Sequence, residues 1–277
     1  MKWAVKNCFN PADQSTVKGC SLISQAQVRA QIDRVTSYPQ AERERLYRKY
    51  FSTPSSTVRY LCERHGFDQK RILDATCHYG YYLIYFGANS EGLDGNLNYL
   101  RFAQEMGLKA QIANIEEPLP AFDAPFDGIV FSGTLEEILS PHVLLMRFRR
   151  ILNPDGLLCL RVPVVPPAWA DKLMRLCGLK PGYDAAAHLY FFTPKLLKLM
   201  VERAGYDVIE TVSTGVWANA LLRPLHRLLL PMTPVVTLMC RPRANFQYPP
   251  VREMKFLPEW AKDTAPFHQD YDGGSSA

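Results

Sequence analysis

The spacing of apolar residues changes near residue 70. Before it, apolar positions recur at helical intervals, with Val28, Ile32 and Val35 in one stripe and Leu46, Tyr47 and Tyr50 in another. "SYPQ" at 37–40 divides the two stripes into separate helices, because the residue before a proline is pushed out of the helical region. A third helix is expected to be capped by Ser55 or Ser56 and to stop at Gly66. Beyond residue 70, short apolar runs alternate with amphipathic stretches. "RILDA" (71–75), "SEGLDGN" (90–96), "KAQIAN" (109–114), "FDGIVFSG" (126–133) and "LLCLRVPV" (157–164) read as strands. "YYLIYFGA" (81–88), "NYLRFAQEMG" (98–107) and the stretch from Ser140–Pro141 towards Leu152 read as helices, and "NPDG" (153–156) as a turn.

Strand and helix alternating at this spacing imply parallel strands joined by crossover helices. A looser segment with a short helix follows Pro167. Thr193 and Pro194 then open a helix that Gly205 ends, by the pairing of cap, first-turn proline and terminal glycine. "YDVIETVST" (206–214) and "PVVTLMCR" (234–241) read as two final strands, with a basic, leucine-rich helix "NALLRPLHRLLL" between them. The expected fold is α/β: a doubly wound, mostly parallel sheet over residues 69–242, with an insertion at 165–190. A helical extension over 1–68 precedes it, and an extended tail over 243–277 follows.

Composition agrees with a soluble globular protein: 47% hydrophobic and 21% charged residues. The net charge of +5 is spread along the chain, and its densest group, "RFRR" at 147–150, reads as a solvated helix face. With no basic groove interleaved with aromatic residues, a nucleic-acid partner is not expected. The seven cysteines show no zinc-knuckle or C-x-x-C spacing, so no metal site is expected, and Cys159 in "LLCLRV" reads as a small buried hydrophobe. This usage suits a reducing compartment, and the start "MKWAVKNCFN" has no apolar signal core, so a cytoplasmic location is expected. The greasiest stretch, Trp217 to Cys240, is interrupted by Arg223, His226, Arg227 and three prolines. A membrane span is therefore rejected, while peripheral membrane contact stays open.

Open parallel sheets bind ligands beyond the carboxyl ends of their strands. The first strand ends at Asp74–Gly80, the second at Asp94, the third at Asn114 and the fourth at Ser132–Gly133–Thr134. A carboxylate at Asp94 can accept two hydrogen bonds from a ribose diol, or it can cap the following helix. The Asn114 amide can read an adenine edge, or it can be a turn residue.

Taken in order, these pieces resemble the class I S-adenosylmethionine-dependent methyltransferases of the small-molecule type. "ILDATCHYG" resembles their first motif and "EGLDGN" their second-strand acid. "ANIEEPLPAFDAPFDGIVFSGTLEEIL" resembles their third and fourth strands, "FRRILNPDGLLCLRVP" the turn into the fifth, and "HLYFFTPKLLKLMVERAGYDV" a late segment. The resemblance covers about half the chain and implies a seven-stranded Rossmann-like sheet with S-adenosylmethionine as cofactor. It implies cofactor contacts at Thr76, Cys77, His78 and Gly80 in the first loop, Asp94 and Gly95 at the ribose, Asn114 and Ile115 at the adenine, and Ser132 beside the methionine part.

The first loop departs from the family, which has glycine where Thr76 and His78 stand. Glycine permits left-handed backbone and a close approach to the cofactor. His78 has three readings: its ring turns outward, it lines the site, or it marks a fold that no longer binds the cofactor. The chemistry implied is in-line displacement, which needs proximity and exclusion of water, and a general base only if the acceptor loses a proton. His188 and His78 are the candidates for that base, with Glu137 behind them. The acceptor is expected to be a small molecule, aromatic or apolar, because the variable segments carry Tyr47, Tyr50, Phe51, Trp169, Tyr183 and Tyr190. The alternatives are a non-catalytic partner subunit, a fold reused for another reaction, and a peripheral enzyme with a lipid-like acceptor. A nicotinamide oxidoreductase is disfavoured because the loop lacks G-x-G-x-x-G.

Overall fold

The computed structural model describes residues 22–176, 178 and 186–246. The first 21 residues, the tail beyond Phe246 and part of the 165–190 insertion, Tyr183 included, lie outside them. Three helices come first: α1 (Gln25–Asp33), α2 (Gln40–Leu46), continued by a π turn over Tyr47–Phe51, and α3 (Ser56–His65). A capping box opens α1: Ser24 Oγ accepts from the Gln27 N–H at 3.3 Å, and Gln27 Oε1 accepts from the Ser24 N–H at 3.0 Å. Ser55 Oγ accepts from the Val58 N–H at 3.2 Å to cap α3, and Gly66 at φ 66° ends it.

The seven strands are β1 (Ile72–Asp74), β2 (Glu91–Asp94), β3 (Ala110–Ile112), β4 (Phe126–Ser132), β5 (Leu152–Pro163), β6 (Tyr206–Val212) and β7 (Val235–Pro242). Their order across the sheet is β3-β2-β1-β4-β5-β7-β6, with β7 antiparallel to both neighbours and the other pairings parallel. Strand order reverses between β1 and β4, which opens the ligand crevice at their carboxyl ends. The helices that follow are α4 (Leu97–Glu105), α5 (Pro141–Ile151), α6 (Ala168–Leu176), α7 (Pro194–Arg203), α8 (Thr214–Ala218) and α9 (His226–Leu229). One sheet face, with Ile72, Val130, Cys159 and Met239, packs against α1–α4 and the segment 77–86. The opposite face, with Leu73, Ile129, Leu158 and Leu238, packs against α5 and α7.

Four sequence expectations are corrected. The helix expected over 81–88 is a single 3-10 turn, Leu83–Tyr85. Tyr82, Leu83, Ile84, Tyr85 and Phe86 are all buried, so the segment has no polar face to turn to water. Gly87 also runs against β1: a Cβ there would lie 2.4 Å from the Lys70 carbonyl oxygen. The helix expected over "NALLRPLHRLLL" is broken into short turns around α9, because Pro224 and Pro231 each lack an N–H and start a new 3-10 turn. The "NPDG" turn is absorbed into β5, with an irregular register between Phe126 and Gly128. The arginines of "RFRR" are not simply solvated. Arg147 Nη1 donates to the carbonyls of Glu116 and Glu117 at 2.8 Å each, and Arg149 Nη2 donates to the Arg243 carbonyl at 2.6 Å. Among the described residues no helix is long and apolar enough to cross a membrane.

Candidate active site

The loop after β1 is tied to both neighbouring strands. The Ala75 N–H donates to the Val130 carbonyl at 2.9 Å, and the Cys77 N–H donates to the Leu93 carbonyl at 2.8 Å. His78 then adopts φ 52°, the left-handed conformation that glycine would otherwise supply and that histidine tolerates better than most residues. Its N–H donates to Asp94 Oδ2 at 2.8 Å. Asp94 Oδ1 accepts the Asn96 N–H at 2.8 Å, while the cap of α4 is Asn96 itself, whose Oδ1 accepts from the N–H groups of Asn98 and Tyr99. Each Asp94 oxygen thus holds one backbone N–H and keeps accepting capacity for a ligand.

A cleft of about 720 Å³ opens over these strand ends, a volume within the roughly 300–1,000 Å³ of small-ligand sites. Thr76, His78, Asp94 and Gly95 line it from the ends of β1 and β2, Asn114 and Ile115 from the end of β3, and Ser132 and Glu137 from the end of β4. Cys77 and Gly80 stand in the loop but off the cleft wall. The Cys77 thiol is buried under β2, where a Cβ on Gly92 would lie 2.7 Å from its Sγ, and Gly80 at φ 82° faces Leu108 and Ala103. Beyond Ala75, Thr76 and His78 are the residues of this turn that line the cleft. The Asn114 amide is committed locally: Oδ1 accepts from the Glu116 N–H at 3.1 Å, and Nδ2 donates to Glu117 Oε1 at 3.1 Å. That is the turn role, with one N–H of the amide left over. His188 is also off the wall. Its Nε2 lies 3.8 Å from Glu136 Oε1, and the two side chains are only 10% and 3% exposed.

The His78 ring sits on the cleft wall inside an aromatic cluster, its centroid 3.8 Å from that of Tyr99 and 4.4 Å from that of Tyr79. Burial holds its pKa below the usual imidazole value, although the Asp94 charge opposes this, so the ring is neutral near pH 7. Its Nδ1 is buried without a hydrogen-bond partner. Asp74, 2% exposed on the sheet below, is pushed up to about 8 by burial and secondarily by the Asp94 charge. Burial likewise pushes Glu136 up to about 7. Glu136, Tyr81 and Tyr99 are not singled out by the sequence, and the two tyrosines line the cleft. For Tyr81 and Tyr99 the available signal was an aromatic residue on the strand-end loop and on the first turn of α4.

The methyltransferase-domain family model matches residues 42–211. The chain belongs to that family. Solved structures with a similar fold include an S-adenosylmethionine-dependent methyltransferase from Clostridium acetobutylicum, at 11% identity, covering 74% of this chain and 99% of that one, TM-score 0.52. The CcbJ methyltransferase from Streptomyces caelestis is similar at 13% identity, covering 72% and 96%, TM-score 0.51. The cyclase SpnF is similar at 15% identity, covering 81% and 99%, TM-score 0.51. At such identities the likeness is one of fold, and the fold alone does not dictate the reaction. No curated protein sequence matches the chain. The residues of the methyltransferase cleft suit S-adenosylmethionine, the cofactor named for the Clostridium neighbour: Asp94 offers free acceptor positions for a diol, and the cleft beside it is of ligand size.

Proposed function

We propose that this protein transfers a methyl group from S-adenosylmethionine to an oxygen or nitrogen of a small-molecule acceptor. The observation that carries the reading is Asp94, a carboxylate at the end of β2 that is held by two backbone N–H groups and turned into the cleft. When bound, the cofactor supplies an activated methyl group on a sulfonium centre. Asp94 accepts the ribose hydroxyls, and Ile115 forms an apolar wall for the base. Ser132 and Thr134 form the wall of the cleft beside β4. The burial of the loop at Tyr82 and Leu83 excludes water from the sheet side. Where the acceptor must lose a proton, His78 on the cleft wall is the histidine placed to receive it, with Glu137 on the same wall.

Calorimetry with S-adenosylmethionine and S-adenosylhomocysteine tests this reading. Both should bind, and Asp94→Ala should remove the binding. Failure of both to bind at high concentration sinks the proposal. One observation favours a second reading, a relative that binds without methylating or runs another reaction: the histidine ring on the wall where the family has a glycine. Tight binding of S-adenosylhomocysteine with no methyl transfer to a broad panel of acceptors would support that alternative.

A further inference from the structure

Side-chain alternation places Ser132, Arg161 and Thr237 on the sheet face that also carries Val130, Cys159 and Met239. Ser132 on β4 is in register with Arg161 on β5, and Arg161 is in register with Thr237 on β7. Three polar side chains thus stand side by side at the carboxyl end of a face that is otherwise apolar. Arg161 is half-buried, and its Nε is buried without a hydrogen-bond partner. Thr237 is 0% exposed, and its Oγ1 also has no partner. Among the described residues, no carboxylate lies within ion-pair distance of Arg161. Its charge reaches Tyr81 on the cleft wall and Glu136, whose carboxyl burial pushes up to about 7.

A half-buried guanidinium with an orphaned Nε and no carboxylate beside it is unfavourable unless a ligand compensates its charge. We propose that the acceptor carries a carboxylate or phosphate, and that the half-exposed guanidinium of Arg161 binds this oxyanion beside Ser132. The guanidinium fork matches a planar oxyanion through two parallel hydrogen bonds. Ser132 lines the cleft, so an anion held in this row anchors the acceptor next to the cofactor wall. The proposal rests on the methyl-transfer reading of the cleft.

The test titrates the protein loaded with S-adenosylhomocysteine against benzoate, phenyl phosphate and the neutral benzamide, by calorimetry. One of the two anions should bind at least about tenfold more tightly than benzamide. Arg161→Met should abolish that preference, and Arg161→Lys should restore only part of it because lysine lacks the fork. Thr237→Val, at a hydroxyl with no exposed surface, should leave anion binding unchanged. All three variants should keep the wild-type affinity for S-adenosylhomocysteine, and thermal melting should show them folded. If Arg161→Met is unfolded, Arg161→Lys carries the test. Equal binding of benzamide, no binding of either anion, or a preference that survives Arg161→Met overturns the proposal. Lost affinity for S-adenosylhomocysteine in Arg161→Met also overturns it, and gives the guanidinium to the cofactor's own carboxylate. The same titration without S-adenosylhomocysteine separates the two readings. If the wild type does not bind S-adenosylhomocysteine, the cofactor reading fails, while the anion preference and its loss in Arg161→Met still report on Arg161.

Discussion

At the ends of β1, β2 and β3, each cleft residue belongs to the strand it terminates: Thr76 follows Asp74, Gly95 follows Asp94, and Asn114 and Ile115 follow Ile112. On the far side of Ser132 the polar groups come from scattered segments: Glu136 from a 3-10 turn, Arg161 from mid-sheet, His188 from the segment before α7 and Thr237 from the last strand but one position. The first half is set by local chain geometry, since a strand end followed by a turn presents its last side chains to the crevice whatever the rest of the chain does. The second half exists only because β7 inserts antiparallel between β5 and β6 and brings Thr237 beside Arg161. Local construction gives a site that can be read from spacing, whereas assembly from remote pieces gives one that cannot.

The largest effect should follow from Asp94→Ala. Two charge-assisted hydrogen bonds to a diol, at about 1.5–3 kcal/mol each, correspond to roughly 10²–10⁴ in affinity for S-adenosylhomocysteine. Glu136→Gln, in the other half, should leave that affinity within about threefold, well under 1 kcal/mol. Equal losses in the two variants would erase the distinction between the halves.

The two halves should also differ in how stability follows pH. Burial, with the Asp94 charge beside it, pushes the Asp74 carboxyl up to about 8 in the folded protein, well above the ordinary carboxylate range. A carboxyl raised on folding contributes stability below its unfolded pKa and loses it as pH rises through the folded value. Wild-type stability in urea should therefore fall between about pH 4 and pH 8, and Asp74→Asn should flatten that fall. Glu136 adds a narrower window that closes at about 7, so Glu136→Gln should remove only the lower part of the slope.

Smaller effects separate the supports of the halves. A Cβ on Gly92 would lie 2.7 Å from Cys77 Sγ and 2.9 Å from Leu83 Cδ2, so Gly92→Ala should cost roughly 1–3 kcal/mol by overpacking under the β1 loop. Gly133→Ala meets nothing within 4 Å and bears only the left-handed backbone cost of its φ of 68°, about 1–2 kcal/mol. The smallest change is expected for His78→Gly. Relief of the left-handed strain at φ 52° offsets the lost contact with Tyr99, leaving stability within about 1 kcal/mol by denaturant unfolding.

The legibility of the site follows the same division. Asp94 could be placed at a strand end because an apolar run stops at an acid just before a helix cap. Whether Asp94 or Asn96 caps α4 could not be read, since both are good caps two residues apart; the backbone gives the cap to Asn96 and leaves Asp94 to the cleft. Glu137 was picked out, while its neighbour Glu136 is the buried acid near His188, because the phase of a three-residue 3-10 turn leaves no periodic trace. Arg161 sits in "LLCLRVPV", where a lone cation in an apolar run was the available signal and reads equally well as a strand end. The segment 81–88 misled for a related reason: its apolar spacing fits a helix, but burial on every side made it a packed turn.

Taken alone, the sequence determined the alternation of strands and helices, the helical start, the capped helices α3 and α7, and the strand-end acid at Asp94. All of these depend on interactions within a few residues: hydrophobic period, turn chemistry and side-chain caps. Tertiary structure decided the left-handed turn of His78 into an aromatic cluster, the burial that raises Asp74 and Glu136, and the row of Ser132, Arg161 and Thr237. Those depend on which strands become neighbours and on what covers each face, and desolvation by distant segments is a property of the packed molecule rather than of any stretch of the chain.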